Sequence, residues 1–598
     1  MSLLTVKDLC VRYKNQIKKM EAVREISFSV KPGECVGIVG ESGSGKSTAM
    51  QALMGLLPDT AEVSCGELKL GEQSLMVSAQ NGSKKDREHF EKQMCRIRGG
   101  EMSMIFQNPS AYLNPAVKIG RQIAETIRVH KQCSTKEAKE ETLRLLEMVG
   151  IRNPLQRISQ YPFELSGGMQ QRVAIAIALA CEPKLLIADE PTTALDATVQ
   201  KQILALLRRI AEETGTAMII VTHNLSAAAV LCSRILVMKA GQIIEEGSVQ
   251  DIFRYPQASY TKELVYYAQE LQKGAGGQAG GGVLLKTEKV CKKYRNQNFW
   301  LGRDDQEAVH QVSMEIREGE SFGIVGESGS GKTTLARLVA GIHKPTSGQI
   351  LSRGEIQMVF QHSYGSFNPR FTVEQILEEP LIYQTGDNRE QRMEKINKML
   401  PLVGINPEER KKYPHQFSGG QQQRIGIARA LISDPKLVVC DEPVSSLDVS
   451  IQAQILELLK EIQDRRNLSY LFISHDLNVI RHMSQRMGVM YLGRMVESGI
   501  TEEVYEDPWH PYTKELLTSV LVPDPKIAKR KKRAPIKDNL FSEGKGCPYY
   551  SHCGYALECC GKEKPEIYQF DSRRVACFLY SEEHGGKRSP DYVMTAQI

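Results

Sequence analysis

Gly37-Ile38-Val39-Gly40-Glu41-Ser42-Gly43-Ser44-Gly45-Lys46-Ser47 returns, almost letter for letter, as Gly323-Ile324-Val325-Gly326-Glu327-Ser328-Gly329-Ser330-Gly331-Lys332-Thr333. Each copy opens on a strand-like Val/Ile run and closes on G-x-x-x-x-G-K-[ST], the pattern of a phosphate-binding loop. In such a loop the glycines (Gly40, Gly43 and Gly45; Gly326, Gly329 and Gly331) let backbone N–H groups face phosphate oxygens. Ser42 and Ser328 stand in the turn itself. Lys46 and Lys332 offset phosphate charge, and the hydroxyl of Ser47 or Thr333 can ligate Mg²⁺. Thr48 and Thr334 follow, opening a helix whose positive N-terminal end points at the same phosphates.

The repetition extends outward from these loops. Ser166 precedes Glu190 by 24 positions, as Ser418 precedes Glu442, and Glu190 precedes His223 by 33, as Glu442 precedes His475. Chance does not hold two such intervals, so one domain is written twice. Lys184–Asp189 and Lys436–Asp441 are apolar runs ending in acid, as expected of parallel strands buried on both faces. An amphipathic helix follows each, with Val199, Ile203, Leu206, Leu207 and Ile210 on one face, mirrored by Ile451, Ile455, Leu458, Leu459 and Ile462. Strands alternating with helices predict two α/β domains, each with a mostly parallel sheet. We place them at 1–267 and 283–521, joined by a Gly-rich tether at 268–282 and followed by a Cys-rich extension at 522–598. The first copy has about 32 extra positions before Gln107, and its polar run Gln80–Lys92 is expected to be a surface insertion.

Asp189 and Asp441 end their strands where a magnesium ion needs a carboxylate. Glu190 and Glu442, next to them, are placed to polarise an attacking water as general base. The segments Leu165-Ser166-Gly167-Gly168-Met169-Gln170-Gln171-Arg172 and Phe417-Ser418-Gly419-Gly420-Gln421-Gln422-Gln423-Arg424 resemble the signature motif of ATP-binding cassette (ABC) proteins, which other phosphate-loop ATPases lack. Physically, Ser-Gly-Gly opens a helix and presents free N–H groups to an anion. The resemblance implies that this anion is the γ-phosphate of ATP held by the opposite domain. Ser418 and Gly420 would then complete the site around Lys46, and Ser166 and Gly168 the site around Lys332. It further implies roles for Gln107 and Gln361 (magnesium, water and membrane partner), for His223 and His475 (γ-phosphate), and for Asp196 and Asp448 (signalling across the dimer). Tyr13 and Tyr294 stand where an aromatic ring stacks on adenine. Both halves keep every one of these groups, so neither site is expected to be dead.

Composition narrows the class. The chain has 598 residues, 41% hydrophobic and 25% charged, with a net charge of +6 that is small for its length. No stretch reaches the roughly 18–20 apolar residues of a membrane span, and the N-terminal residues have no leader-like apolar core, so a soluble, intracellular protein is expected. The basic run Lys529–Arg533 is expected to be a solvated linker. Of 14 cysteines, five crowd between Cys547 and Cys577. Ile105-Phe106-Gln107-Asn108-Pro109, Tyr413-Pro414-His415-Gln416, the domain ends Tyr255–Thr261 and His510–Thr513, and above all Cys547, Cys553, Cys560 and Cys577 resemble the oligopeptide/dipeptide importer ATPases. Four thiolates in a reducing compartment favour a soft site, either a [4Fe–4S] cluster or tetrahedral zinc. The importer resemblance implies two transmembrane permease subunits as partners and, through them, an extracytoplasmic substrate-binding protein, with the chain peripheral on the cytoplasmic face of the inner membrane and no nucleic-acid partner. Other readings are a soluble tandem cassette acting on ribosomes, or an importer ATPase for nickel, metal chelates or glutathione-like solutes.

Overall fold

In the computed structural model the chain is described over residues 2–14, 19–75, 84–193, 195–275, 281–294, 306–361, 363–384, 386–445, 447–520 and 546–581. The centre of the tether and the basic run lie outside the described residues.

Each half is built on a twisted sheet whose middle strands are buried on both faces. In the first half the strand order is Gln242–Ser248, Arg234–Lys239, Cys35–Val39, Ala217–Thr222, Leu185–Asp189, Met102–Ile105. All neighbours run parallel except the first pair. Parallel strands need helical crossovers, which is why Leu185–Asp189 reads as an unbroken apolar run and is buried throughout. The second half repeats this order with Arg494–Ile500, Arg486–Tyr491, Ser321–Val325, Ser469–Ser474, Leu437–Asp441 and Ile356–Val359. A separate antiparallel sheet in each half, built on Leu4–Lys14 or Val283–Tyr294, packs over the phosphate-loop helix. The predicted amphipathic helices form at Ala197–Thr214 and Val449–Arg466, with Ile203, Leu206, Leu207, Ile210, Ile455, Leu459 and Ile462 buried.

The expected surface insertion is half right. Residues 76–83 lie outside the described residues, but Lys84–Ile97 is a helix that buries Phe90, Met94 and Ile97 against the core. The spacing of those three apolar residues is helical, and the many charges around them masked it.

The Cys-rich extension is not a loose appendage. Its strands Tyr568–Phe570 and Arg573–Val575 add to the free edge of the second sheet, pairing Glu497 with Val575 and Ser498 with Arg574. Covering that edge satisfies backbone groups that would otherwise be open to other chains. Arg573 reaches the fully buried Glu497 at 2.5 Å and stacks on Trp509, which in turn stacks on Tyr580. Glu497 also accepts the backbone N–H groups of Trp509 and His510.

His510, 2% exposed, caps the helix Pro511–Thr518, its Nδ1 accepting the Tyr512 N–H at 3.1 Å. Burial drives its pKa down to about 3. The unfolded chain therefore binds a proton near pH 6.5 that the folded chain refuses, so stability falls as the pH drops below that value. Between pH 7.5 and pH 5 this group alone is expected to cost about 2 kcal/mol. Denaturant melts at the two pH values should show that loss shrinking in His510→Asn, which keeps a cap acceptor but does not titrate.

Candidate ATP sites

The two phosphate loops have the same geometry because the same backbone demands recur. Gly45 and Gly331 adopt a φ of +96°, and a Cβ on either would lie 2.3 Å from the carbonyl oxygen of Ala22 or Ala308. Only glycine fits there, and the loop is fixed in the shape that aims its N–H groups inward. Lys46 Nζ is held over the loop by the carbonyls of Gly40 (2.8 Å) and Glu41 (2.7 Å), and Lys332 Nζ by those of Gly326 (2.7 Å) and Glu327 (2.8 Å). Burial lowers both lysine pKa values, and the neighbouring carboxylates of Glu190 or Glu442 pull the other way.

The strand-end acids meet the loops as predicted. Ser47 Oγ donates to Asp189 Oδ1 at 2.9 Å and Thr333 Oγ1 to Asp441 Oδ1 at 3.1 Å. Burial pushes each aspartate up to about 6, against the pull of that hydroxyl. A hydroxyl beside a carboxylate that burial leaves short of positive charge is a donor set suited to a hard divalent cation.

Glu190 and Glu442 have φ of +47°, a left-handed conformation that non-glycine residues rarely hold. The turn lifts each carboxylate off the strand end and into the cleft. Glu190 accepts from Gln107 Nε2 (2.8 Å) and Thr193 Oγ1 (2.8 Å), with His223 Nδ1 at 3.3 Å. Glu442 accepts from Gln361 Nε2 (2.8 Å), with His475 Nδ1 at 3.2 Å. Burial pushes both glutamates up, but the histidine contacts and the lysine charge outweigh it and hold them below the usual carboxylate range. His475 is lowered by burial but raised more by Glu442, so it ends above its ordinary value. Four residues of each predicted set therefore form one cluster: aspartate, glutamate, glutamine and histidine.

Ser166 and Ser418 cap the helices Gly167–Leu179 and Gly419–Leu431, each accepting an N–H three residues on, and both stand exposed. The second glycine of each motif is a packing requirement. A Cβ on Gly168 would lie 2.6 Å from Val199, and one on Gly420 2.6 Å from Ile451. Each signature helix thus rests on the first turn of the helix that follows Asp196 or Asp448.

Those first turns cross to the other half. Asp448 Oδ1 accepts both the N–H and the hydroxyl of Ser42 at 2.9 Å, and Ser450 donates to Glu41. At the opposite site Thr198 Oγ1 makes no hydrogen bond among the described residues, and burial holds the Glu327 carboxyl above its ordinary value. The two crossings differ. Asp196 caps its own helix by accepting from Val199 N–H at 3.0 Å, whereas Asp448 gives up that cap for Ser42. Lys201 also donates to the Thr518 carbonyl across the join.

Two residues escaped the sequence reading. Tyr260 and Tyr512 accept the loop N–H groups of Glu41 and Glu327, each at 3.0 Å. The only signal was their shared place in the repeated Tyr-Thr of the two domain ends. Tyr13 packs half-buried against the first core, and Tyr294 stands edge-on to His343, 38% exposed.

The four tail cysteines are mostly buried, and Cys547 N–H donates to the Cys560 carbonyl at 2.7 Å. No three of them bring their sulfurs within 4.8 Å of one another. Zinc bonded to sulfur at about 2.3 Å sets tetrahedral edges of about 3.8 Å, so the thiols do not form a ready cage for that ion.

Phosphate loop, strand-end acid pair and signature helix, in that order and in duplicate, define a tandem cassette ATPase using ATP and Mg²⁺. The chain belongs to the ABC transporter family, whose pattern matches residues 23–193 and 309–445, and it is of the oligopeptide/dipeptide importer type: the oligopeptide/dipeptide transporter C-terminal region matches residues 496–560. It is similar to the glutathione import ATP-binding protein GsiA of Salmonella choleraesuis (38% identical, covering 90% of this chain and 93% of that one). The protein of the same description from Escherichia coli K12 is 39% identical with the same coverage. Among solved structures, the archaeal ribosome recycling factor aABCE1 superposes with a TM-score of 0.55 at 24% identity, covering 81% of this chain and 88% of that one. At that identity the likeness concerns the fold alone. Among the described residues no helix is long and apolar enough to cross a membrane.

Proposed function

We propose that the chain energises import of di- or oligopeptides and related solutes, glutathione among them, through two composite ATP sites. The observation that carries the composite reading is the pair of hydrogen bonds from Ser42 of the first half to Asp448 of the second. Glycines of each loop and its lysine bind the phosphates, and Tyr13 or Tyr294 stacks on the adenine. Ser47 with Asp189, and Thr333 with Asp441, assisted by Gln107 and Gln361, would hold the magnesium, which would supply positive charge to the phosphates. Glu190 and Glu442, ionised at neutral pH, orient the attacking water and accept its proton. His223 and His475 fix the glutamates and contact the γ-phosphate, while Ser166 and Ser418 present helix N-termini to it from the opposite half.

ATP thereby becomes the adhesive between halves, and closure acts on two permease subunits docked beside Gln107 and Gln361, with an external binding protein delivering solute. The chain sits peripherally on the cytoplasmic face of the inner membrane. For the tail, Cys547, Cys553, Cys560 and Cys577 would hold an iron–sulfur cluster, whose thiolates bind separate iron atoms, in preference to a single zinc ion.

Uptake of labelled glutathione and dipeptides, measured in cells lacking the chain, should be restored by the wild-type chain and not by a variant unable to hydrolyse ATP. Normal uptake without the chain, or its sedimentation with ribosomes, would overturn the reading.

A further inference from the structure

The second half departs from the first at one cluster outside the ATP chemistry. Cys291, on the strand Val283–Tyr294, faces Glu307 and His310 on the strand Gln306–Arg317. The ligand atoms of these three lie within 4.8 Å of one another, the one such grouping among the described residues. We propose that Cys291, Glu307 and His310 form a binding site for a divalent metal of the zinc type.

Local backbone irregularity brings them together. Lys289 and Gln311 both have left-handed φ, and the strand register slips between Val290 and Lys292. A bulge of this kind turns side chains that a regular ladder would point apart. Cys291 is 7% exposed, and its sulfur accepts the Gln311 N–H at 3.2 Å and lies 3.7 Å from the Lys289 carbonyl oxygen. His310 Nδ1 lies 2.9 Å from Glu307 Oε1, yet it is buried without an aligned hydrogen bond. With the ring proton on Nε2, the Nδ1 lone pair lies beside the carboxylate oxygen, and both can face a third atom.

The first half supplies an internal control. There Cys10 accepts the Glu25 N–H at 3.2 Å in the same way, and Glu21 stands where Glu307 does. Arg24 occupies the position of His310, and a guanidinium cannot ligate a cation. The thiol–amide contact is therefore common scaffolding, and the third ligand is what the second half adds. One sulfur, one imidazole nitrogen and one carboxylate oxygen suit zinc, with a fourth position left for water.

Cobalt(II) reports such a site, because thiolate ligation gives a strong near-ultraviolet charge-transfer band. The metal-free full chain is titrated in parallel with Cys291→Ser and His310→Arg, the latter copying the first half. To remove the tail thiols, the same comparison is made with Cys547, Cys553, Cys560 and Cys577 all changed to serine. If that background fails to fold, the difference in bound cobalt between wild type and Cys291→Ser in the intact chain answers the same question. Expected is one cobalt per chain with a thiolate band in the serine background, its affinity falling on the order of 100-fold or more in either variant. Equal cobalt binding and an unchanged band in Cys291→Ser would overturn the proposal, as would no thiolate band in the serine background. His310→Arg binding as tightly as wild type would also overturn it, leaving the cluster as an ordinary Glu–His contact.

Discussion

Changing both Glu190 and Glu442 to glutamine is expected to slow ATP hydrolysis at least about a hundredfold while leaving ATP bound. The substitution is close to isosteric, and the amide oxygen can still accept from Gln107 and Thr193, or from Gln361. The left-handed φ is no harder for glutamine than for glutamate, so the fold has no reason to change. What disappears is a negative charge that burial opposes and that histidine and lysine hold in place. A neutral amide cannot take a proton from water. Each single variant is expected to disable its own site and to trap one ATP, measured as nucleotide retained after gel filtration alongside released phosphate. Undiminished phosphate release from the double variant would remove these residues from the chemistry.

The parts of this site legible in the sequence are those whose physics is local. A phosphate loop needs glycines at fixed offsets because Gly45 and Gly331 must pass within reach of a neighbouring carbonyl, so the letters alone disclose the shape. A strand ending in Asp-Glu after an apolar run likewise declares itself. Residues whose partners come from distant segments were not legible. Tyr260 and Tyr512 support loops more than 180 positions away, and beyond the repeated Tyr-Thr nothing around either distinguishes it from a core tyrosine. Gly168 and Gly420 belong to a motif that presents N–H groups to phosphate, and their lack of a side chain is demanded by Val199 and Ile451 behind them. The extension was recognisable by its cysteines, but its pairing with the sheet edge depends on Glu497 receiving Arg573, a contact no motif encodes. Asp196 and Asp448 are the sharpest case. The same letter in the same motif caps a helix in one half and grips the opposite loop in the other.

That crossing decides which residues share a site. In the background carrying glutamine at 190 and 442, Lys46→Ala with Ser418→Ala is expected to leave one ATP bound per chain. Lys46→Ala with Ser166→Ala is expected to leave none. Physical continuity gives the reason: Ser42 is bonded to Asp448, the helix after Asp448 carries Ile451, and Ile451 packs on Gly420 beside Ser418. The first pair of substitutions therefore falls twice on the site of Lys46 and spares that of Lys332. The second pair strikes one component of each. If each half instead bound ATP with its own signature serine, the outcomes would be exchanged, with Lys46→Ala and Ser166→Ala together sparing one nucleotide. Counting bound nucleotide rather than turnover keeps the result clear of any coupling between the two hydrolysis steps, since substitutions within one functional unit are not additive in rate. The same count bears on the asymmetry of the crossings. Asp448→Ala removes two bonds to Ser42 and should loosen the Lys46 site. Asp196→Ala removes a helix cap and should cost stability first, typically about 1 kcal/mol.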